Sequence, residues 1–145
     1  MKETCSILVV DDEEIVRESL AHWLGEDGYR VDTAPDGRTA LGKLAESSFA
    51  IMLVDLKMPG MDGLQLLREA KQSRPDLVVI LMTAYATVDT AVQAMKQGAH
   101  DYLLKPFDPE GLSRMVERLA REHALHQGDL SLRNALKRQV ASEDS

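Results

Sequence analysis

Short apolar runs separated by helix-like stretches recur five times along the chain. Three of these runs are unbroken and rich in Val, Ile and Leu, as in strands that are buried on both faces of a parallel sheet. The second run alternates apolar and polar residues, and the fifth is short. Together they predict strands at Ser6–Val10, Tyr29–Thr33, Phe49–Val54, Leu77–Met82 and Asp101–Leu104.

A set of apolar residues with helical spacing follows each predicted strand. The five sets are Val16/Leu20/Trp23/Leu24, Leu41/Leu44/Ala45, Leu64/Leu67/Ala70, Val88/Ala91/Val92/Met95 and Leu112/Met115/Val116/Leu119. The first helix should end near Gly25 or Gly28, because glycine is the usual residue after a helix. Five strand-helix units with short links predict a doubly wound α/β fold, a parallel sheet with helices on both faces, since such crossovers are right-handed.

The apolar pattern thins from Arg121 onward and is interrupted at Gly128-Asp129. It then resumes at four-residue spacing with Leu132, Leu136 and Val140. We interpret residues 1–123 as the domain and residues 124–145 as a helical extension or linker. Aliphatic side chains on such a tail need a partner, so we expect a homodimer through the fifth helix and its extension.

Composition narrows the class of protein. The 145 residues suit one domain, and 17 Lys and Arg against 24 Asp and Glu give a net charge of −7, which argues against a nucleic-acid or anionic-membrane binder. The single Cys5 allows no intramolecular disulfide. No apolar run is long enough for a signal peptide or a membrane span, so we expect a cytoplasmic protein.

Four of the predicted strands end at residues with chemically active side chains. These are Asp11 and Asp12 after the first strand, Asp55 after the third, Thr83 after the fourth and Lys105 after the fifth. Ligands of open parallel sheets bind at the carboxyl ends of the strands. Three carboxylates carry −3 and one lysine +1, which leaves −2. A divalent cation would neutralise this charge, and Mg²⁺ is preferred because every ligand is a hard oxygen.

A carboxylate neutralised in this way can act as a nucleophile toward phosphorus. Thr83 and Lys105 could then hold the phosphoryl oxygens while the metal absorbs developing charge. Each residue alone has an ordinary explanation, such as an N-cap, a turn or a solvated loop charge. The conjunction at four strand ends favours a phosphoryl site.

Four segments carry a resemblance to a known family. They are Val9-Val10-Asp11-Asp12-Glu13, the stretch Leu53–Gly63 around Val54-Asp55-Leu56-Lys57-Met58-Pro59, Met82-Thr83-Ala84-Tyr85, and Tyr102–Phe107 around Lys105-Pro106. Over about residues 5–123 the chain resembles the response-regulator receiver domain of bacterial two-component systems, most closely the N-terminal receiver of NtrC-type sigma-54-dependent activators. The resemblance implies a flavodoxin-like, five-stranded sheet of strand order 2-1-3-4-5.

The resemblance also implies a role for individual residues. Asp55 matches the phosphoacceptor, Asp12 a direct Mg²⁺ ligand, Asp11 a mostly water-mediated one, Lys57 a ligand through its carbonyl, Thr83 and Lys105 the phosphoryl contacts, and Tyr102 the aromatic switch position. Lys105-Pro106 matches a peptide that is cis in the family. Lys57 and Tyr85 match positions that flank the hydrolytic water, so we expect the phosphorylated state to hydrolyse more slowly than in receivers with small residues at these positions. The output surface should comprise the fourth helix, the fifth strand and the fifth helix.

The leading hypothesis is a phosphorylation-operated switch. It accepts a phosphoryl group from a sensor histidine kinase onto Asp55, and it is not an enzyme that turns over an external substrate. A stand-alone receiver that relays phosphoryl groups or binds a protein partner is the alternative, although the tail from Gly128 disfavours it. A phosphatase of the haloacid-dehalogenase kind would need a second Asp where Lys57 stands. The tail is too short for a DNA-binding helix-turn-helix unit.

Overall fold

The computed structural model describes residues 5–84 and 87–125, and its strands form one parallel sheet. The strands are β1 (Ser6–Val10), β2 (Arg30–Ala34), β3 (Ile51–Asp55), β4 (Val78–Thr83) and β5 (Asp101–Leu104). Their order across the sheet is β2-β1-β3-β4-β5. This order confirms the predicted flavodoxin-like, doubly wound fold.

Helices cover both faces of the sheet. They are α1 (Glu14–Glu26), α2 (Gly37–Glu46), α3 (Gly63–Ser73), α4 (Val88–Lys96) and α5, whose described part spans 109–125. Successive residues of a strand point to opposite faces, so Leu8 and Val10 enter the apolar layer under α2, α3 and α4. Ile7 and Val9 enter the layer under α1 and α5. The two layers hold the central strands buried on both sides.

Element boundaries differ slightly from the sequence prediction. β1 and β5 have the predicted bounds, whereas β2, β3 and β4 begin and end one or two residues later than expected. Gly28, at φ 98°, follows α1, while Gly25 lies inside it. The left-handed conformation that terminates a helix is accessible to glycine at little cost. The shifts place Asp55 and Thr83 as the last residues of their strands.

Helix α4 departs from the usual arrangement of an amphipathic helix. The residues that indicated it in the sequence lie largely in solvent, with Val88 80%, Val92 45% and Met95 50% exposed. Ala94 is its only buried residue. The helix was correctly predicted, but most of its apolar side chains do not contribute to the core.

Predictions from the sequence also concern Cys5, membrane-spanning helices and a C-terminal linker. Cys5 is a buried free thiol. Within residues 5–84 and 87–125, no helix combines the length and the hydropathy needed to cross a bilayer. The predicted linker residues Gly128, Leu132, Leu136 and Val140 lie outside the described residues.

Candidate functional site

The carboxyl ends of β1 and β3 bring three carboxylates together. The parallel pairing of Val10 with Val54 places the residues that follow them side by side. One carboxylate oxygen from each of Asp11, Asp12 and Asp55 lies within 4.8 Å of the others. The sequence prediction that these residues converge is therefore correct in its geometry.

Lys105 reaches this cluster from the loop after β5. Its Nζ lies 2.7 Å from Oδ2 of Asp11 and 3.6 Å from Oδ2 of Asp55. The other carboxylate oxygen of Asp11, Oδ1, accepts a hydrogen bond from the backbone N–H of Glu13 at 2.9 Å. Asp11 is fully buried and both its oxygens are engaged, whereas Asp12 is exposed. The adjacent carboxylates thus have different surroundings.

The surroundings of the cluster oppose charge on Asp55 and favour charge on Lys105. Burial and the negative charge of Asp11 raise the pKa of Asp55 above its usual value. Burial by itself would lower the pKa of Lys105, but the hydrogen bond and charge of Asp11, with the charge of Asp55, outweigh it and raise that pKa. Lys105 is therefore a persistent cation, and the single lysine does not neutralise the carboxylates.

The donor set fits a hard divalent cation. Two oxygens bound to one Mg²⁺ lie about 2.9 to 4.2 Å apart, given metal–oxygen distances of about 2.0 to 2.1 Å. A cluster spread over up to 4.8 Å thus suits an ion that keeps several of its waters. The three carboxylates of this cluster, Asp11, Asp12 and Asp55, are the side chains that could hold such an ion.

Arg17 and Gly63, which the sequence analysis gave no role, hold the backbone of the site in place. Nη1 of Arg17 donates to the backbone carbonyl of Asp11 at 2.7 Å, which ties α1 to the end of β1. Gly63 begins α3 against the end of β3, and a Cβ there would lie 2.6 Å from the Asp55 carbonyl oxygen. The sequence signal for Gly63 is its place after the N-cap Asp62. Arg17 leaves no such signal, because its partner is a backbone atom.

The other predicted site residues occupy the same end of the sheet. Thr83 ends β4, is 1% exposed and follows Met82, which pairs with Asp55. Tyr102 lies on β5, and its hydroxyl is 3.2 Å from Oγ1 of Thr90 on α4. Lys57 is exposed beside Asp55, and its backbone N–H donates to Oδ1 of Asp55 at 3.4 Å. The Lys105-Pro106 peptide is cis, as expected. Tyr85 lies outside the described residues.

Comparison with known proteins decides the family. A family model described as "Response regulator receiver domain" matches residues 7–117. The chain belongs to the response-regulator receiver domain family. The family predicted from the sequence is therefore confirmed. The acidic cluster of this receiver domain is positioned to bind a metal ion.

Curated relatives of the receiver domain include regulatory proteins much longer than this chain. It is 45% identical over 112 residues to the regulatory protein AtoC of Escherichia coli (strain K12), covering 77% of this chain and 24% of AtoC. The same identity and coverage hold for the DNA-binding transcriptional regulator NtrC of Salmonella typhimurium (strain LT2). The chain thus spans about a quarter of the length of these relatives.

A solved structure shows the same fold in a related receiver. The solution structure of the beryllofluoride-activated NtrC4 receiver domain dimer is 41% identical and superposes with a TM-score of 0.78, covering 85% of this chain and 99% of that one. The likeness to NtrC-type receivers predicted from sequence is therefore confirmed.

Proposed function

We propose that the receiver domain is a phosphorylation-operated switch that accepts a phosphoryl group onto Asp55 from a phosphohistidine of a sensor kinase. The observation that supports this proposal most is the position of the buried Asp55 carboxylate, between the Asp11–Asp12 pair and Lys105 at the carboxyl ends of the strands. Three carboxylates around one ammonium group favour the binding of a divalent cation. Asp55 is the carboxylate that lies beside both the Asp11–Asp12 pair and Lys105.

The proposed transfer balances without a further reactant. An oxygen of Asp55 attacks phosphorus, the P–N bond breaks, and the imidazole nitrogen leaves with the electron pair. Hydrolysis reverses the switch when water attacks phosphorus, the acyl-phosphate P–O bond breaks, and the Asp55 carboxylate returns with release of inorganic phosphate. Bound Mg²⁺ supplies positive charge to the phosphoryl oxygens.

The chain's own residues supply the rest of the proposed chemistry. Lys105, already paired with Asp11, is close enough to Asp55 to contact a phosphoryl oxygen. Thr83 has a hydroxyl at the adjacent strand end and is assigned the second phosphoryl contact. We assign Lys57 the role of a metal ligand through its backbone carbonyl. The side chains of Lys57 and Tyr85 are proposed to shield the phosphoryl group from hydrolytic water.

The output of the switch is proposed to pass through α4, β5 and α5. Support comes from the exposed apolar side chains on this face, Val88, Val92, Met95 and Leu104. The related NtrC4 receiver forms a dimer in its beryllofluoride-activated form. We propose that residues 1–123 are the receiver, that 124–145 lead toward a transcription-activating output module, and that the protein acts in the cytoplasm as a homodimer.

Labelling with a small phosphodonor tests the proposal. Acetyl phosphate with Mg²⁺ should add one phosphoryl group to the intact mass of the wild-type chain and none without Mg²⁺. Asp55→Asn should abolish labelling. Asp36→Asn is the matched control, because Asp36 caps α2 outside the cluster, and it should label normally. Labelling of Asp55→Asn to the wild-type level would overturn the proposal.

A further inference from the structure

A cluster of hydroxyl groups joins β5 to the first turn of α4. The Tyr102 hydroxyl lies 3.2 Å from Oγ1 of Thr90, which lies 2.9 Å from Oγ1 of Thr87. Thr87 is the N-cap of α4, and the two threonines form a capping box. The same Thr90 hydroxyl therefore serves the cap of α4 and the side chain of Tyr102.

The hydrogen-bonding capacity of Thr90 is fully used. Its oxygen accepts from the Thr87 backbone N–H at 3.2 Å, and its hydroxyl donates to the Thr87 carbonyl at 3.0 Å. A hydroxyl has one hydrogen and two acceptor positions. When that hydrogen points to the Thr87 carbonyl, Tyr102 can only be a donor to Thr90, and it shares the second acceptor position with the Thr87 hydroxyl 2.9 Å away. Loss of the Thr90 hydroxyl would thus release Tyr102 from α4.

Tyr102 also lies on the side of the sheet from which Thr83 projects. Leu81 pairs with Tyr102, and Thr83 pairs with Leu104. Paired residues of parallel strands share a face, as do residues two apart. Tyr102 packs against the apolar layer under α4 on that face. It therefore shares a face of the sheet with the proposed phosphoryl contact and reaches α4 through its hydroxyl.

Polar contacts matter more for α4 than for a well-buried helix. Of its residues only Ala94 is buried, and Val88, Val92 and Met95 are 45% to 80% exposed. Little apolar packing holds the helix in place, so a hydrogen bond at its first turn is a large share of its attachment. A movement of Tyr102 would be carried directly to the turn that begins with Val88.

We propose that Thr90 is a positioning residue that couples Tyr102 to α4, so that phosphorylation at Asp55 is transmitted to the exposed apolar face of that helix. This inference rests on the proposed function. Without the Tyr102–Thr90 hydrogen bond, the Asp55 pocket should still respond to its ligand while α4 responds weakly.

Amide NMR shifts induced by beryllofluoride with Mg²⁺ test the coupling. In the wild type, the amides of Leu56 and Lys57 should report the pocket, and those of Val88–Lys96 should report α4. Thr90→Val and Tyr102→Phe should each reduce the α4 shifts at least about twofold, with no further reduction in the double variant. Thr90→Ser keeps the hydroxyl and should restore the α4 shifts, while the Leu56 and Lys57 shifts persist in Thr90→Val.

Thr39→Val is the matched control, since Thr39 occupies the corresponding position in α2, where its N–H caps onto Asp36, far along the chain from Tyr102. It should leave the α4 shifts unchanged. Full α4 shifts in Thr90→Val, or additive losses in the double variant, would overturn the inference while the proposed function stands. A wild type whose Leu56 and Lys57 amides do not respond would instead contradict the proposed function and the inference with it.

Discussion

Adjacent residues of this receiver domain differ sharply in what they can contribute to a metal site. Asp11 is fully buried, and its two oxygens are held by Lys105 and by the Glu13 backbone N–H. Asp12 is exposed at the rim. A buried carboxylate whose oxygens already have partners is less available to an ion than an exposed one. We therefore expect Asp12 to be the better direct ligand.

Magnesium binding should therefore depend more on Asp12 than on Asp11. We expect Asp12→Asn to weaken Mg²⁺ binding at least about tenfold, because a direct charged ligand is lost. Asp11→Asn should weaken it less, while lowering stability by leaving Lys105 without its closest partner. Titrations followed by NMR measure both affinities. Equal losses in the two variants would contradict this assignment.

At the scale of elements, the junction between β3 and α3 fixes the position of Asp55. A Cβ on Gly63 would meet the backbone of Asp55 and Leu56 at 2.6 and 2.7 Å, and the Gly63 N–H donates to the Leu56 carbonyl at 2.9 Å. Backbone atoms cannot move aside as the end of a side chain can. The first turn of α3 can approach β3 this closely only with glycine.

Alanine substitutions at two glycines test this junction. Gly63→Ala should lower the free energy of unfolding by about 2 kcal/mol or more through overpacking. Gly42→Ala, inside α2 with open space around it, should raise it by about 0.5 to 1 kcal/mol. Urea unfolding of both variants measures the difference. Similar changes in the two would show that the close approach is not required.

The start of the β4–β5 pair contains a hydrogen bond that depends on pH. Nδ1 of His100 accepts from the Val79 N–H at 3.3 Å. Burial and the positive charge of Lys71 lower the pKa of His100; His123 acts in the same direction and Glu122 opposes it. The pKa of His100 is therefore lower in the folded chain than in the unfolded chain. Neutral His100 contributes fully to the free energy of unfolding above about pH 6.5, and this contribution is lost as the pH falls below that value.

Unfolding measured at two pH values tests this dependence. Between about pH 7.5 and 5.5, the wild type should lose more stability than His100→Asn, whose side-chain oxygen offers an acceptor that does not titrate. His22→Asn is the control, because His22 lies exposed on α1 beside Glu26. It should not reproduce the effect. The same pH dependence of unfolding in the wild type and in His100→Asn would contradict the assignment of this effect to His100.

For the molecule as a whole, the sheet and the positions of the strand-end residues were easier to predict from the sequence than the contacts between them. Strand ends such as Asp55 follow from local patterns, because buried strands and the turns after them have strong signals. The pairing of Lys105 with Asp11 joins residues 94 positions apart, and only the folded chain shows it. The exposure of Val88 and Val92 was equally unpredictable, since an apolar pattern does not say which face of a helix is covered.

Assembly of the chain tests the proposed linker. Leu125 is 64% exposed at the end of the described part of α5, and large aliphatic side chains left in water forfeit roughly 1.5 to 3 kcal/mol each. Residues 1–145 should sediment as a dimer at micromolar concentration, and a chain ending at Glu122 as a monomer. If both are monomers with and without beryllofluoride, the dimer proposal is wrong.

We expect Asp55 itself to carry the phosphoryl group, and chemical reduction of the modified residue tests this. Borohydride reduces an acyl phosphate to the alcohol, so treatment of the chain after reaction with acetyl phosphate and Mg²⁺ should convert the phosphorylated Asp into homoserine. Peptide mass spectrometry then locates the modified residue. We predict homoserine at position 55 alone, and none when Mg²⁺ is omitted. Homoserine at Asp11, Asp12 or another position, with Asp55 unchanged, would contradict the assignment of Asp55 as the phosphoacceptor.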